Sequence, residues 1–186
     1  MSDRPGSNRE AQYGVVFDDL YRDLILDHYR NPRNKGGLED AGVVVEGFNP
    51  SCGDEISVAL RLDTPNGGGS VPEDARVQQI RFGGQGCSIS QSSASMLTEE
   101  TAGRPIADVR ALSRAVQRML TDDGFDLDSA DVGDLEALSG VARFPVRIKC
   151  ALLAWKVLDE AIKVVAGPDP AGGEADEEIQ TRVTSA

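Results

Sequence analysis

Apolar and polar positions follow two rhythms along this chain. Ile56, Val58, Leu60 and Leu62 alternate with Ser57, Ala59, Arg61 and Asp63, the period of two that places one set of side chains on the buried face of a strand. Val43 to Phe48 reads as a shorter strand before it. Val77, Ile80 and Phe82 form a third, whose period slips at Gln78-Gln79, the mark of a bulge. The segment TPNGGGSVPED between the second and third strands is rich in turn residues. Three sequential strands with short links predict an antiparallel meander.

The second rhythm is helical. Phe17, Leu20, Tyr21, Leu24 and His28 recur on one face behind Asp18 and Asp19, and the segment stops at Asn31-Pro32. After Gly83-Gly84-Gln85-Gly86-Cys87 a helix carries Ile89, Met96 and Leu97 inward and ends at Gly103 and Pro105. Ile106 to Leu120 and Val132 to Val141 predict two further helices around DDGFDLDSAD, and Val146 to Val165 a long amphipathic one bearing Leu152, Trp155, Leu158 and Ile162. Strands segregated from helices define an α+β domain. Residues 15–166 carry this pattern as a single domain. Residues 1–14 and the acidic stretch 167–186, which runs GPDPAGGEADEE, offer little apolar surface to bury and predict disordered tails.

Composition narrows the chemistry. A chain of 186 residues with 40% hydrophobic content supports one core rather than two. The net charge of -12 and a pI near 4.5 exclude a nucleic-acid surface, which needs clustered Lys and Arg, and favour a basic partner. No apolar run approaches the length of a membrane span and no leader pattern opens the chain, so a cytoplasmic protein is expected. Three cysteines in a reducing compartment point to metal binding or thiol chemistry.

The local contexts of these cysteines are distinctive. Asn49-Pro50-Ser51-Cys52-Gly53-Asp54 is a loop between strands with a thiol and a carboxylate two residues apart. Cys87 follows a glycine-rich turn at a helix start, where unpaired N–H groups and the helix dipole favour a thiolate. Cys150 lies near the start of the last helix beside Arg147 and Lys149. All three are thus expected at thiolate-favouring positions, off the apolar stripe of any helix. Three thiolates and one carboxylate make a tetrahedral set for zinc, and the sulfur donors also suit iron–sulfur chemistry. Arg147 and Lys149 would offset the net negative charge of such a centre.

Other constellations carry less. His28, the only histidine, sits on an apolar helix face and reads as a packing residue. Asp122-Asp123 with Asp126, Asp128 and Asp131 lack the ligand order and glutamate of a calcium loop. Neither GGQGCS nor PNGGGS is followed by Lys-Ser/Thr, which excludes a phosphate-binding loop of the nucleotide type. Ser88, Ser90, Ser92, Ser93 and Ser95 read as capping and packing residues, with no second histidine to activate them.

The stretches DLILDHYRNPRNKG, NPSCGDEI, FGGQGCSISQSSASML and RFPVRIKCALLAWKVLDEA together resemble, in unbroken order from Val16 to Val165, the motifs of the SufU family, IscU-like and NifU N-terminal-like proteins of iron–sulfur cluster assembly. Lys149 stands where IscU proteins have a histidine, and residues 111–140 resemble the insertion characteristic of SufU. The resemblance implies a three-stranded antiparallel sheet packed against several helices, and zinc ligation by Cys52, Asp54, Cys87 and Cys150. It further implies Cys52 as sulfur acceptor, Arg147 as a supporting basic residue, a SufS-type cysteine desulfurase as partner and SUF scaffold proteins downstream. Three readings follow: a zinc-dependent sulfurtransferase, a scaffold binding iron or a transient iron–sulfur cluster, and a non-catalytic adaptor stabilised by zinc.

Overall fold

The structure, a computed structural model, describes residues 21–64, 71–127, 130–172 and 179–185. Phe17 and Leu20 of the expected first helix, and the expected N-terminal tail, lie outside these residues. Helix α1 is seen over 21–30. Three strands follow, β1 (Val43–Asn49), β2 (Asp54–Asp63) and β3 (Arg76–Gln85), then helices α2 (Ser88–Thr101) and α3 (Ile106–Thr121), a 3-10 run (Gly133–Arg143), helix α4 (Pro145–Ala166) and strand β4 (Gln180–Ser185).

β1, β2 and β3 form the expected meander, with Val45 opposite Val58 and Val58 opposite Phe82. The slip at Gln78 is real: Arg61 faces Gln79 while Leu62 faces Val77, which leaves Gln78 as the extra residue. Val43, Val45, Ile56, Val58, Leu60, Val77, Ile80 and Phe82 point to one face and are buried with Met96 and Leu97 of α2 and Leu153, Trp155, Val157 and Leu158 of α4 in one core. Helix α4 approaches β1 closely because residue 47 is glycine. A Cβ there would stand 2.2 Å from Val157 Cγ2.

Two expectations are corrected. The sheet has four strands in the order β3-β2-β1-β4, because residues expected to be disordered tail pair antiparallel with the open edge of β1. Thr181, Val183 and Thr184 suit a strand, yet Gln180, Thr181, Arg182, Val183 and Thr184 are partly or fully exposed. No hydrophobic alternation therefore marks β4; an unpaired neighbouring edge supplies its hydrogen bonds. Arg182 Nη2 also donates to Glu46 Oε2 at 2.7 Å. The second correction concerns the helix expected at Val132 to Val141, which is a 3-10 run of 11 residues. Leu135, Leu138 and Val141 are buried at intervals of three, the period of that helix. The segment 111–140 is part of the same core through Leu112, Val116, Leu120, Leu135 and Leu138. Among the described residues no helix is long and apolar enough to cross a membrane.

His28 packs as expected. It is 2% exposed, and its Nδ1 lies 2.9 Å from Ser95 Oγ. Burial, with Arg33 adding to it, holds its pKa below the ordinary 6.5 against the opposing pull of Glu99 and Asp27. In the native state it therefore takes up a proton less readily than in the unfolded chain. Its contribution to stability is fully present above pH 6.5 and is lost as the pH falls below that value. Urea midpoints should drop from about pH 7 to about pH 5.5, and more steeply in the parent than in His28→Gln. Equal slopes would remove His28 as a cause.

Candidate metal centre

Strand β1 ends at Asn49 directly opposite Asp54, the first residue of β2. The loop between them closes on Asn49: its carbonyl accepts the N–H of Gly53 at 2.8 Å and of Cys52 at 3.3 Å. Its Oδ1 accepts the N–H of Ser51 at 3.0 Å. Gly53 has φ 75°, the left-handed conformation in which a side chain is strained. This turn leaves Cys52 exposed and Asp54 buried beneath it.

Cys87 caps α2 with extended backbone, and its N–H donates to Asp54 Oδ1 at 3.0 Å. Cys150 lies in α4 just after the first turn, which Pro145 opens. Its Sγ is 3.5 Å from Cys52 Sγ. The serines of α2 hold the two helices in place: Ser93 Oγ donates to the Ala151 carbonyl at 2.7 Å and receives Trp155 Nε1 at 3.2 Å, while Ser92 Oγ donates to Ile25 O at 2.7 Å. Ser95 does meet His28, but it is completely buried and also accepts the Arg33 N–H, so it is a packing residue as expected.

Among the described residues one group has converging ligand atoms. One each from Cys52, Asp54 and Cys150 lie within 4.8 Å of one another. The Cys87 sulfur is not in that group; Cys87 joins it through the backbone bond to Asp54 and through the charge interaction of its thiol with Arg147. Burial works to raise the Asp54 carboxyl pKa. The Cys87 N–H, aided by the thiols of Cys150, Cys52 and Cys87, outweighs burial and holds the group below the usual carboxylate range. The expectation that all three cysteines favour thiolates fails for Cys150. It is 0% exposed, on a stretch of α4 buried without a break from Cys150 to Trp155. Burial first, then Cys52 and Asp54, pushes its thiol pKa well up in the metal-free chain. Arg147 is exposed, and Cys87 chiefly, with Cys150, strengthens its hold on its proton.

The donor chemistry fits a soft divalent metal. Two sulfurs and a carboxylate oxygen converge, a third thiol borders them, and Asp54 Oδ2 is buried with no hydrogen-bond partner, a costly state that a cation would relieve. The aspartates of 122–131 form no such group among the described residues; Asp122 Oδ1 instead accepts the Gly124 N–H at 3.0 Å. Sequence reasoning missed two contributors. Asn49 could have been read from the tendency of asparagine to close turns on its own backbone. Gly86 carried no signal, because its role depends on tertiary approach. A Cβ there would stand 2.8 Å from Asp54 Cγ and 2.4 Å from Ser90 Oγ. Gly86→Ala should displace the carboxylate, lower stability by about 1–3 kcal/mol and speed metal release to a chelator. A urea midpoint and release rate equal to the parent's would refute this.

Fold and site define a class: a small α+β domain with a cysteine–carboxylate centre where a strand-end loop, a helix start and a second helix meet. The chain belongs to the NifU-like N-terminal domain family, whose model matches residues 20–166. It is 47% identical over 150 residues to the zinc-dependent sulfurtransferase SufU of Bacillus subtilis, covering 81% of this chain and 94% of that one. It is 35% identical over 154 residues to the iron-sulfur cluster assembly scaffold protein IscU of Thermotoga maritima, covering 83% and 100%. The fold matches the crystal structure of the N-terminal part of a nitrogen-fixing NifU-like protein from Brucella abortus with a TM-score of 0.66 over 80% of this chain and 95% of that one, at 22% identity. The family match ends before β4.

Proposed function

We propose that this chain is a zinc-dependent sulfurtransferase of SUF-type iron–sulfur cluster assembly in the cytoplasm, taking persulfide sulfur from a SufS-type cysteine desulfurase onto Cys52. The observation that carries this reading is the unpartnered, buried Asp54 Oδ2 beneath an exposed thiol. Asp54, Cys52 and Cys150 would hold the metal, with the half-buried Cys87 turned in about its side-chain torsion as fourth ligand. A zinc ion bound there would keep the thiols deprotonated and fix their orientation.

Cys52 is the one exposed thiol of the three, so it is the sulfur a partner can reach. Its thiolate attacks the outer sulfur of the donor persulfide. A new sulfur–sulfur bond forms on Cys52, the donor's sulfur–sulfur bond breaks, and the donor cysteine leaves as a thiolate that takes up a proton. No external oxidant or reductant is consumed. Arg147, beside Cys87 and Cys150, offsets negative charge as the persulfide enters. Phe144 and Val146, 59% and 69% exposed, stand in the same turn and offer the partner an apolar contact. A cleft of about 460 Å³ lined by Tyr21, Ile25, Ile89, Val141, Phe144 and Arg147 continues that surface. SUF scaffold proteins are the recipients downstream.

The scaffold reading draws on the relative from Thermotoga maritima and on the three thiols; iron rather than zinc after anaerobic purification would favour it. A zinc-stabilised adaptor would retain desulfurase activation in Cys52→Ala. The direct test is mass spectrometry of the trapped intermediate: added sulfur on the peptide containing Cys52 supports transfer, and sulfur only on Cys150 refutes Cys52 as acceptor.

A further inference from the structure

The exposed loop that carries Cys52 is rooted in two buried residues, Asn49 and Asp54. Pro50, Ser51, Cys52 and Gly53 are all exposed, so packing of the loop backbone does little to hold the thiol in place. Asn49 is 1% exposed, and three consecutive N–H groups of the loop converge on it: Ser51 on its side-chain Oδ1 at 3.0 Å, Cys52 and Gly53 on its carbonyl at 3.3 and 2.8 Å. The side-chain bond makes an Asx turn, in which the amide oxygen imitates a backbone carbonyl and fixes the next two residues. Asn49 also faces Asp54 across the last pair of the β1–β2 ladder, so the residue that shapes the Cys52 turn is in register with the buried carboxylate. The turn stands where the Cys52 and Cys150 sulfurs lie 3.5 Å apart.

We propose that Asn49 is the positioning residue of this centre: its side chain closes the Cys52 loop so that the thiol stands against Cys150 and Asp54 before any metal arrives. It touches neither metal nor sulfur in this role and acts through Ser51 and the turn. Its contribution is pre-organisation, in which a ligand loop already held in the bound shape loses less entropy when the metal is captured. Asparagine also suits the position electrostatically, because a carboxylate there would face Asp54 directly, and like charges opposite one another destabilise a strand pair.

This inference deepens the metal reading above, and its first measurement is independent of that reading. In the metal-free full-length chain, hydrogen exchange resolved to single residues should show the Ser51, Cys52 and Gly53 amides exchanging at least about 10-fold faster in Asn49→Ala than in the parent, with β2 and α4 amides unchanged. Asn49→Ser, whose hydroxyl makes the same turn more weakly, should recover part of that protection. In the zinc-loaded chain, release to a competing chelator should be about 10-fold faster or more in Asn49→Ala and intermediate in Asn49→Ser. Loop amides as protected in Asn49→Ala as in the parent would overturn the proposal. So would a serine variant no better than alanine. If Asn49→Ala does not fold, Asn49→Ser decides: local loss of protection at the three loop amides supports the proposal, and parent-like protection refutes it. If the parent binds no zinc, the metal reading fails while the exchange comparison still decides the role of Asn49.

Discussion

Cys52→Ser abolishes the stimulation of a matched cysteine desulfurase and returns alanine formation to the desulfurase-alone rate; this is the largest single effect expected of the chain. Cysteine desulfuration leaves a persulfide on the donor enzyme, and turnover waits until that sulfur is removed. Cys52 is the exposed thiol of the centre, whereas Cys150 is fully buried and out of a partner's reach. A serine hydroxyl is far too weakly acidic to accept sulfane sulfur as a thiolate does, so the loss should be complete rather than graded. Zinc-stripped parent protein should behave likewise and recover on reloading. Stimulation by Cys52→Ser at the parent rate, with sulfur found on Cys150, would overturn the assignment.

Elemental analysis should return one zinc per chain for the parent and almost none for a Cys87→Ala/Cys150→Ala double variant, since two ligands cannot complete a tetrahedral site. Asp54→Ala should keep three sulfur ligands but release zinc to a chelator at least about 10–100-fold faster, the range seen when even supporting residues of metal sites are lost. Asp54 has a second role, because its Oδ1 receives the Cys87 N–H. Removing the carboxylate also frees the start of α2, so Asp54→Asn is the control that can keep this bond. Zinc content unchanged in the double variant would exclude these cysteines as ligands, and parent-like release from Asp54→Ala would exclude the carboxylate.

The sheet core was legible because β2 buries one face more deeply than the other, although Ala59 on the second face is buried too. Ile56, Val58 and Leu60 are inside while Glu55, Ser57 and Arg61 are not, and the unpaired Gln78 showed as a broken period. β4 was illegible for the opposite physical reason: it buries almost no side chain, and its partner edge lies in a distant part of the chain. The 3-10 run differs from the expected α-helix only through the strict interval of three in Leu135, Leu138 and Val141, which a helical reading tolerates. At the site, residue types and motif likeness brought out Cys52, Asp54, Cys87, Cys150 and Arg147, and the structure gathers Cys52, Asp54 and Cys150 directly. The burial of Cys150 escaped notice because α4 is enclosed on every side at that point, so no apolar stripe distinguishes it. Asn49 and Gly86 escaped because a turn hub and a close approach are created by folding.

The pairing of β4 with β1 sets an order of events during synthesis. Arg182 is 136 residues from Glu46, so at about 5–20 residues per second roughly 7–27 s pass between the appearance of β1 and that of the strand which covers it. The meander can form as soon as Gln85 has been made, because β1 needs only β2 and β3 on its other side. Its outer edge then stands open on the nascent chain while α2, α3 and α4 are still being translated. Glu46 lies in the middle of that edge, and a charge there discourages pairing with other growing chains. The carboxylate that Arg182 finally neutralises has by then served as the guard of an unfinished sheet.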